Sequence, residues 1–141
     1  MSSTTRCNPV ALTRGCPCKG LTLAKLLRPA IMTILVHGAI HGYRVIEGVA
    51  ASPVMQGSTP DPAGVYRTLR AMEHEGLVRS TWNTSGQGPA KRTYRLTAAG
   101  RTCLRRWVGT LETYRDAVGE LLRSAKAALR TSRGIGRGPA R

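Results

Sequence analysis

A mainly α-helical fold with one small β-hairpin is what this sequence predicts, and three observations carry it. Residues 43–50 and 62–75 repeat apolar side chains at helical spacing on either side of a Pro/Gly-containing break. Two short runs with strand character, 77–81 and 93–96, flank a loop that holds two glycines, a proline and the pair Lys91-Arg92. From Ala98 onward, apolar residues recur every three or four positions. Helix, turn, helix and basic hairpin in that order make a winged helix-turn-helix, here continued by a long C-terminal dimerisation helix.

Each element has a local cause. Residues 21–27 form a short helical lead-in, and Pro29 suits the first position of a helix because its missing N–H would be unpaired there anyway. Ile31, Ile34 and Leu35 mark the apolar side of that helix, and Gly38 ends it. Val45, Ile46 and Val49 define the buried side of the next helix, and the Pro/Gly/Ser-rich stretch 52–60 turns the chain. Asp61 is placed as an N-cap with Pro62 first in the helix, Val65, Leu69 and Met72 face inward, and Gly76 is the stop. Trp82, between the hairpin strands, either packs beneath the wing or faces solvent, and core packing is the favoured expectation.

The helix over 62–75 is the candidate recognition helix. At 100° per residue Ala63, Arg67, Arg70 and His74 fall opposite the apolar side, with Tyr66 on its edge. Arginine pairs bidentately with guanine, whereas its contact with a phosphate adds affinity without sequence information; spacing alone leaves both roles open. Lys91 and Arg92 in the loop suit phosphate or minor-groove contact. Double-stranded DNA is therefore the expected partner.

Composition agrees with a polyanionic partner. The 141 residues hold 22 Lys and Arg against 7 acids, a formal net charge of +15, and no acid precedes Glu47. A length of this order suits one compact domain with extensions. Four segments are expected: a basic, cysteine-bearing extension over 1–20, the DNA-binding domain over 21–97, the dimerisation helix over 98–130 and a disordered basic tail over 131–141. The longest apolar stretch, 21–36, is interrupted by Lys25, Arg28 and Pro29 and is too short to span a bilayer, so no membrane partner and a cytoplasmic location are expected.

On the C-terminal helix Leu104, Trp107, Leu111, Tyr114, Val118 and Leu121 form one stripe, continued by Ala125 and Ala128. Burying each large side chain contributes roughly 1.5 to 3 kcal/mol, so the stripe is expected to close a homodimer; folding back onto its own domain is the alternative.

Several motifs in order resemble one known family. They are Leu27-Arg28-Pro29, His41-Gly42-Tyr43, the run from Gly64-Val65-Tyr66-Arg67 to Leu69, Met72-Glu73-His74-Glu75-Gly76-Leu77-Val78, the run from Gly88 to Thr97, and Ala99-Gly100. Over about residues 27 to 122 the chain resembles the PadR family of bacterial transcriptional regulators. The resemblance implies a dimeric winged helix that binds palindromic operators and represses until an effector lowers its DNA affinity. It also implies DNA contacts at Tyr66 and Arg67 on the recognition helix and at Lys91 and Arg92 in the wing.

The cysteines fall outside that pattern. Cys16-Pro17-Cys18 sets two thiols one residue apart, suited to a soft metal ion such as Zn(II) or Cu(I) or to an iron–sulfur centre, with Cys7 and Cys103 as further ligands. Arg14 and Lys19 beside them favour the thiolate form, which suits oxidation sensing; unliganded thiols are the plain alternative. His37 and His41 are separated by the helix-breaking Gly38 and share no helical face, His41 is expected to cap or buttress the second helix, and His74 to face solvent. No carboxylate or oxyanion motif accompanies the thiols, so no enzyme is expected. A general basic binder of RNA or architectural DNA is the alternative function, for which the Arg/Gly tail speaks.

Overall fold

A computed structural model describes residues 26–55, 59–83, 86, 88 and 91–135. They fall in two compact units that divide between Leu104 and Arg105. The first holds α1 (Leu27–Leu35), β1 (Ile40–His41), α2 (Gly42–Ala51), a 3-10 turn (Pro53–Met55), α3 (Pro62–His74), β2 (Val78–Asn83), β3 (Lys91–Leu96) and the start of α4 (Ala98–Ile135). Residues 105–135 continue α4 in the second unit.

In the first unit the apolar positions of three helices meet one face of a three-stranded antiparallel sheet of order β1-β3-β2. Ile31, Met32 and Leu35 come from α1, Val45 and Val49 from α2, and Val65, Leu69 and Met72 from α3; Val78, Tyr94 and Leu96 close the core from the sheet. Val78 stands opposite Leu96, Ser80 opposite Tyr94 and Trp82 opposite Arg92, so these six side chains share one sheet face. Of these, Val78, Tyr94 and Leu96 are buried and Trp82 is 63% exposed. The expectation of a core tryptophan is thus overturned: the face is the core-facing one, but the ladder runs past the core before it reaches Trp82.

Three more differences have simple causes. Helix α1 begins two residues before Pro29, which its first turn tolerates because N–H groups there have no intrahelical acceptor. The strand β1 was not expected; Ile40 and His41 pair with Tyr94 and Thr93. Helix α4 runs through Ile135, into the stretch expected to be a disordered tail, and Thr131 and Ser132 donate hydrogen bonds back to the carbonyls of Ala127 and Leu129. The rest of that tail, the extension over 1–20 and the lead-in over 21–25 lie outside the described residues. No described helix is long and apolar enough to cross a membrane.

Helix α3 is secured at both ends. The Asp61 carboxylate accepts from the N–H groups of Ala63 and Gly64, at 3.3 and 3.2 Å. At the other end Gly76 takes φ +78°, its N–H donates to Glu73 O and the Leu77 N–H reaches Met72 O at 2.9 Å, a left-handed glycine cap. Arg28 of α1 grips Glu75 with two hydrogen bonds of 2.7 Å. Thr97 joins this corner to α4, donating to the Gly76 carbonyl at 2.7 Å and accepting from the Gly100 N–H at 3.0 Å. Gly100 is pressed so closely here that a Cβ would strike the Leu77 carbonyl oxygen and stand 2.6 Å from Leu96 Cδ1.

The Gly100→Ala variant is therefore expected to lose about 1 to 3 kcal/mol, because a backbone oxygen cannot move aside as a side-chain end can; urea unfolding followed by circular dichroism measures it. The Arg28 hydrogen bonds hold the Glu75 carboxyl below its usual range. A carboxylate lowered in the folded state contributes stability above its unfolded pKa, about 4.3, and loses it as pH falls through the folded value. Thermal melts of the wild type and Glu75→Gln are expected to differ at pH 7 and to converge in acid.

Candidate nucleic-acid interface

Because Val65, Leu69 and Met72 are fixed in the core, the helical period turns Arg67, Arg70 and His74 outward, and all three are exposed. Tyr66, on the edge of that face, is 39% exposed. Arg67 lies 3.5 Å from Asp61 with both side chains well exposed to water, an ion pair weak enough for the guanidinium to exchange it for another anion. Among the described residues Arg70 has no hydrogen-bond or ion-pair partner. The two arginines singled out from the sequence are thus brought together on one outward face.

Tyr66 owes its position to Gly42. A Cβ at residue 42 would lie 2.8 Å from Tyr66 Cε1 and 3.2 Å from Tyr94 Cε2, so the bare glycine at the start of α2 is what lets the phenol ring lie against that helix. Next to it, His41 occupies the N-cap position of α2 but makes no capping hydrogen bond. Its ring instead stacks on Tyr43, centroids 5.7 Å apart and nearly parallel, which makes it a buttress and not a cap; its Nδ1 is buried with no hydrogen-bond partner among the described residues.

Strand alternation separates the two wing cations. Lys91 is exposed, with its ammonium 5.6 Å from the centre of the Tyr43 ring. Arg92 shares the face of Tyr94 and Leu96 and turns to α3: Nη2 donates to Glu73 Oε2 at 3.0 Å and Nε to Ser80 Oγ at 2.9 Å. Its guanidinium also lies over the rings of Trp82 and Tyr94. Glu73, which the sequence did not single out, is bound a second time by the hydroxyl and N–H of Ser80. Tyr66, Arg70, Glu73, Trp82, Arg92 and Tyr94 together line a cleft of about 290 Å³ between α3 and the hairpin. Burial pushes the Tyr94 phenol up, so that group carries no charge at neutral pH.

The other candidate groups lie elsewhere. Leu104, Trp107 and Leu111 are half-buried, while Tyr114, Val118 and Leu121 on the second unit are at least half exposed, with Leu122 and Leu129 beside them. Cys103 is a free, half-buried thiol, and Cys7, Cys16 and Cys18 lie outside the described residues. Among the described residues no three or more His, Cys, Asp or Glu side chains gather as a metal site.

Solved structures share this architecture. A PadR family transcription regulator from Clostridium difficile is 21% identical, with 68% of this chain and 97% of that one covered and a TM-score of 0.59. A PadR-like regulator from Bacillus cereus is 22% identical over 72% and 95%, with a TM-score of 0.61. A PadR family regulator from Eggerthella lenta is 25% identical over 74% and 92%, with a TM-score of 0.59. No curated protein matches the chain. Residues 31–106, from within α1 to the first turns of α4, match the Transcriptional regulator PadR-like family. With more than half its length inside that match, the chain belongs to the PadR-like family of DNA-binding transcriptional regulators, which are not enzymes.

Proposed function

We propose that this regulator binds a palindromic operator as a homodimer and represses until an effector lowers its DNA affinity. The observation that carries the reading is the cluster of Tyr66, Arg67 and Arg70 on the outward face of α3, in the same compact unit as the exposed Lys91 of the hairpin. Helix α3 enters the major groove and offers its arginines to base edges, while Lys91 meets a phosphate or the minor groove beside it. The exposed stripe of Tyr114, Val118 and Leu121 supports pairing of two α4 helices, since leaving such side chains in water costs roughly 1.5 to 3 kcal/mol each. Two reading heads related by a two-fold axis match two inverted half-sites, which is why the operator is palindromic. Repression is the default result of occupancy, because duplex covered by the dimer is closed to other proteins.

A second reading, a general basic binder of RNA or DNA, draws on the net charge of +15. One experiment separates the two. Selection from a pool of random duplexes is expected to return an inverted repeat, and equal affinity for every duplex would establish the second reading instead. On the selected operator, Arg67→Ala is expected to lose roughly 1 to 3 kcal/mol and relax the sequence preference, whereas Lys91→Ala weakens all sequences alike; binding titrations on operator and scrambled duplex measure both. The Leu121→Glu variant, which sets a charge in the α4 stripe, is expected to run as a monomer in sedimentation and to lose most operator affinity. A dimeric Leu121→Glu protein with full affinity would exclude this stripe as the interface.

A further inference from the structure

We infer that Glu73 is a positioning residue for DNA reading: it clamps the recognition helix to the hairpin through Arg92 and Ser80 and withdraws Arg92 from the phosphate contacts. The inference rests on the proposed use of α3 and the hairpin as one reading head. Three side chains close a ring. Ser80 Oγ donates to Glu73 Oε1 at 2.5 Å, Arg92 Nε donates to Ser80 Oγ at 2.9 Å, and Arg92 Nη2 donates to Glu73 Oε2 at 3.0 Å. The Ser80 N–H adds a backbone tie to the same carboxylate at 3.3 Å. Helix α3 is therefore bonded to both strands of the hairpin, and Trp82 and Tyr94 under the guanidinium hold its plane in place.

Two features mark this ring as a device of the reading head and not a support of the core. It begins at Ser80, opposite the buried Tyr94, and reaches Arg92, one pair nearer the hairpin tip beside the exposed Trp82, and the backbone ladder of β2 and β3 forms without it. Its charges are also spoken for: the Arg92 and Glu73 side chains are 37% and 29% exposed, against 75% for the loosely paired Arg67. A carboxylate facing a nucleic acid repels phosphate and is costly unless neutralised, and a guanidinium that neutralises it releases no counterion on binding. What the ring supplies is a fixed distance and angle between the side chains of α3 and Lys91, so the two insert into adjoining grooves without being ordered at that moment.

The test uses the full chain, the selected operator duplex and a scrambled duplex, with affinity measured across a salt series. Removal of a negative charge by Glu73→Ala would by simple electrostatics tighten binding. The clamp gives the opposite sign: operator affinity falls by about tenfold or more while scrambled-duplex affinity holds or rises. Arg92→Ala is expected to lose operator affinity with an unchanged slope of log affinity against log salt, while Lys91→Ala lowers that slope by about 0.9. The swap of Glu73→Arg with Arg92→Glu is expected to recover part of the loss. Operator binding by Glu73→Ala as tight as wild type, or a slope lowered by Arg92→Ala as much as by Lys91→Ala, overturns the inference. If Glu73→Ala does not fold, Glu73→Gln and the Arg92→Ala slope decide the matter. A wild-type protein that fails to prefer operator over scrambled duplex sinks the underlying DNA-reading proposal, a result separate from any shown by these variants.

Discussion

Register between β2 and β3 is the constraint from which the placement of Lys91 and Arg92 in the hairpin follows. Side chains alternate across a strand, so a slip of one residue would send Tyr94 and Leu96 to water and turn Lys91, Thr93 and Arg95 toward the core. Burial of the first pair and the charge of Lys91 and Arg95 in the second set fix one register. With Tyr94 and Leu96 inside, Arg92 must share their face and Lys91 must lie on the other. The division of labour between two adjacent cations, one bound to Glu73 and one exposed, is thus a consequence of core burial some residues away. The central strand β3 carries this constraint in both directions, since β1 pairs on its other edge and delivers His41, Gly42 and Tyr43 to the start of α2.

Helix α3 inherits a comparable rigidity from its ends. Asp61 satisfies two amide donors at its start, and the Gly76 cap with the Arg28–Glu75 pair holds its finish. A helix of this length is marginal alone in water, so these ends and the buried Val65, Leu69 and Met72 set its stability. Rigidity of this kind matters for recognition because any ordering done on binding is subtracted from affinity. The loose Arg67–Asp61 pair is the complementary case, since a long side chain on a fixed helix can still swing to a base or a phosphate.

Much of this was legible in the sequence where local chemistry decides. Asp61-Pro62 and Gly76 bound α3 correctly because capping depends on neighbouring residues alone, and the outward position of Arg67, Arg70 and His74 follows from the inward position of Val65, Leu69 and Met72. Elements that depend on distant partners were hidden. Two residues hold no period, so β1 exists only by virtue of β3. Trp82 stands on the face that the alternation predicts, but how far the core extends along that face is a property of packing. The Glu73–Arg92 pair joins residues 19 apart, and its one local trace was that Arg92 shares the parity of Tyr94 and Leu96. The end of α4 went the other way: glycines and arginines after residue 130 looked like a tail, yet a helix already propagating continues at little cost through Thr131, Ser132 and Arg133.

Charge and specificity separate in the same terms. A net charge of +15 secures attraction to any polyanion, but attraction grows with counterions released and does not depend on base sequence. Discrimination needs groups held at fixed places; the bare Gly42 leaves room for the Tyr66 ring, and Arg67 and Arg70 stand on a helix capped at both ends. The acid-poor composition makes each carboxylate in or beside α3 informative. Asp61 caps the helix, Glu75 anchors it to α1, and Glu73 ties it to the hairpin. Asp61, Glu73 and Glu75 each make contacts that hold α3 in place, so on this strongly basic chain these three carboxylates fix geometry and are not loose negative charge.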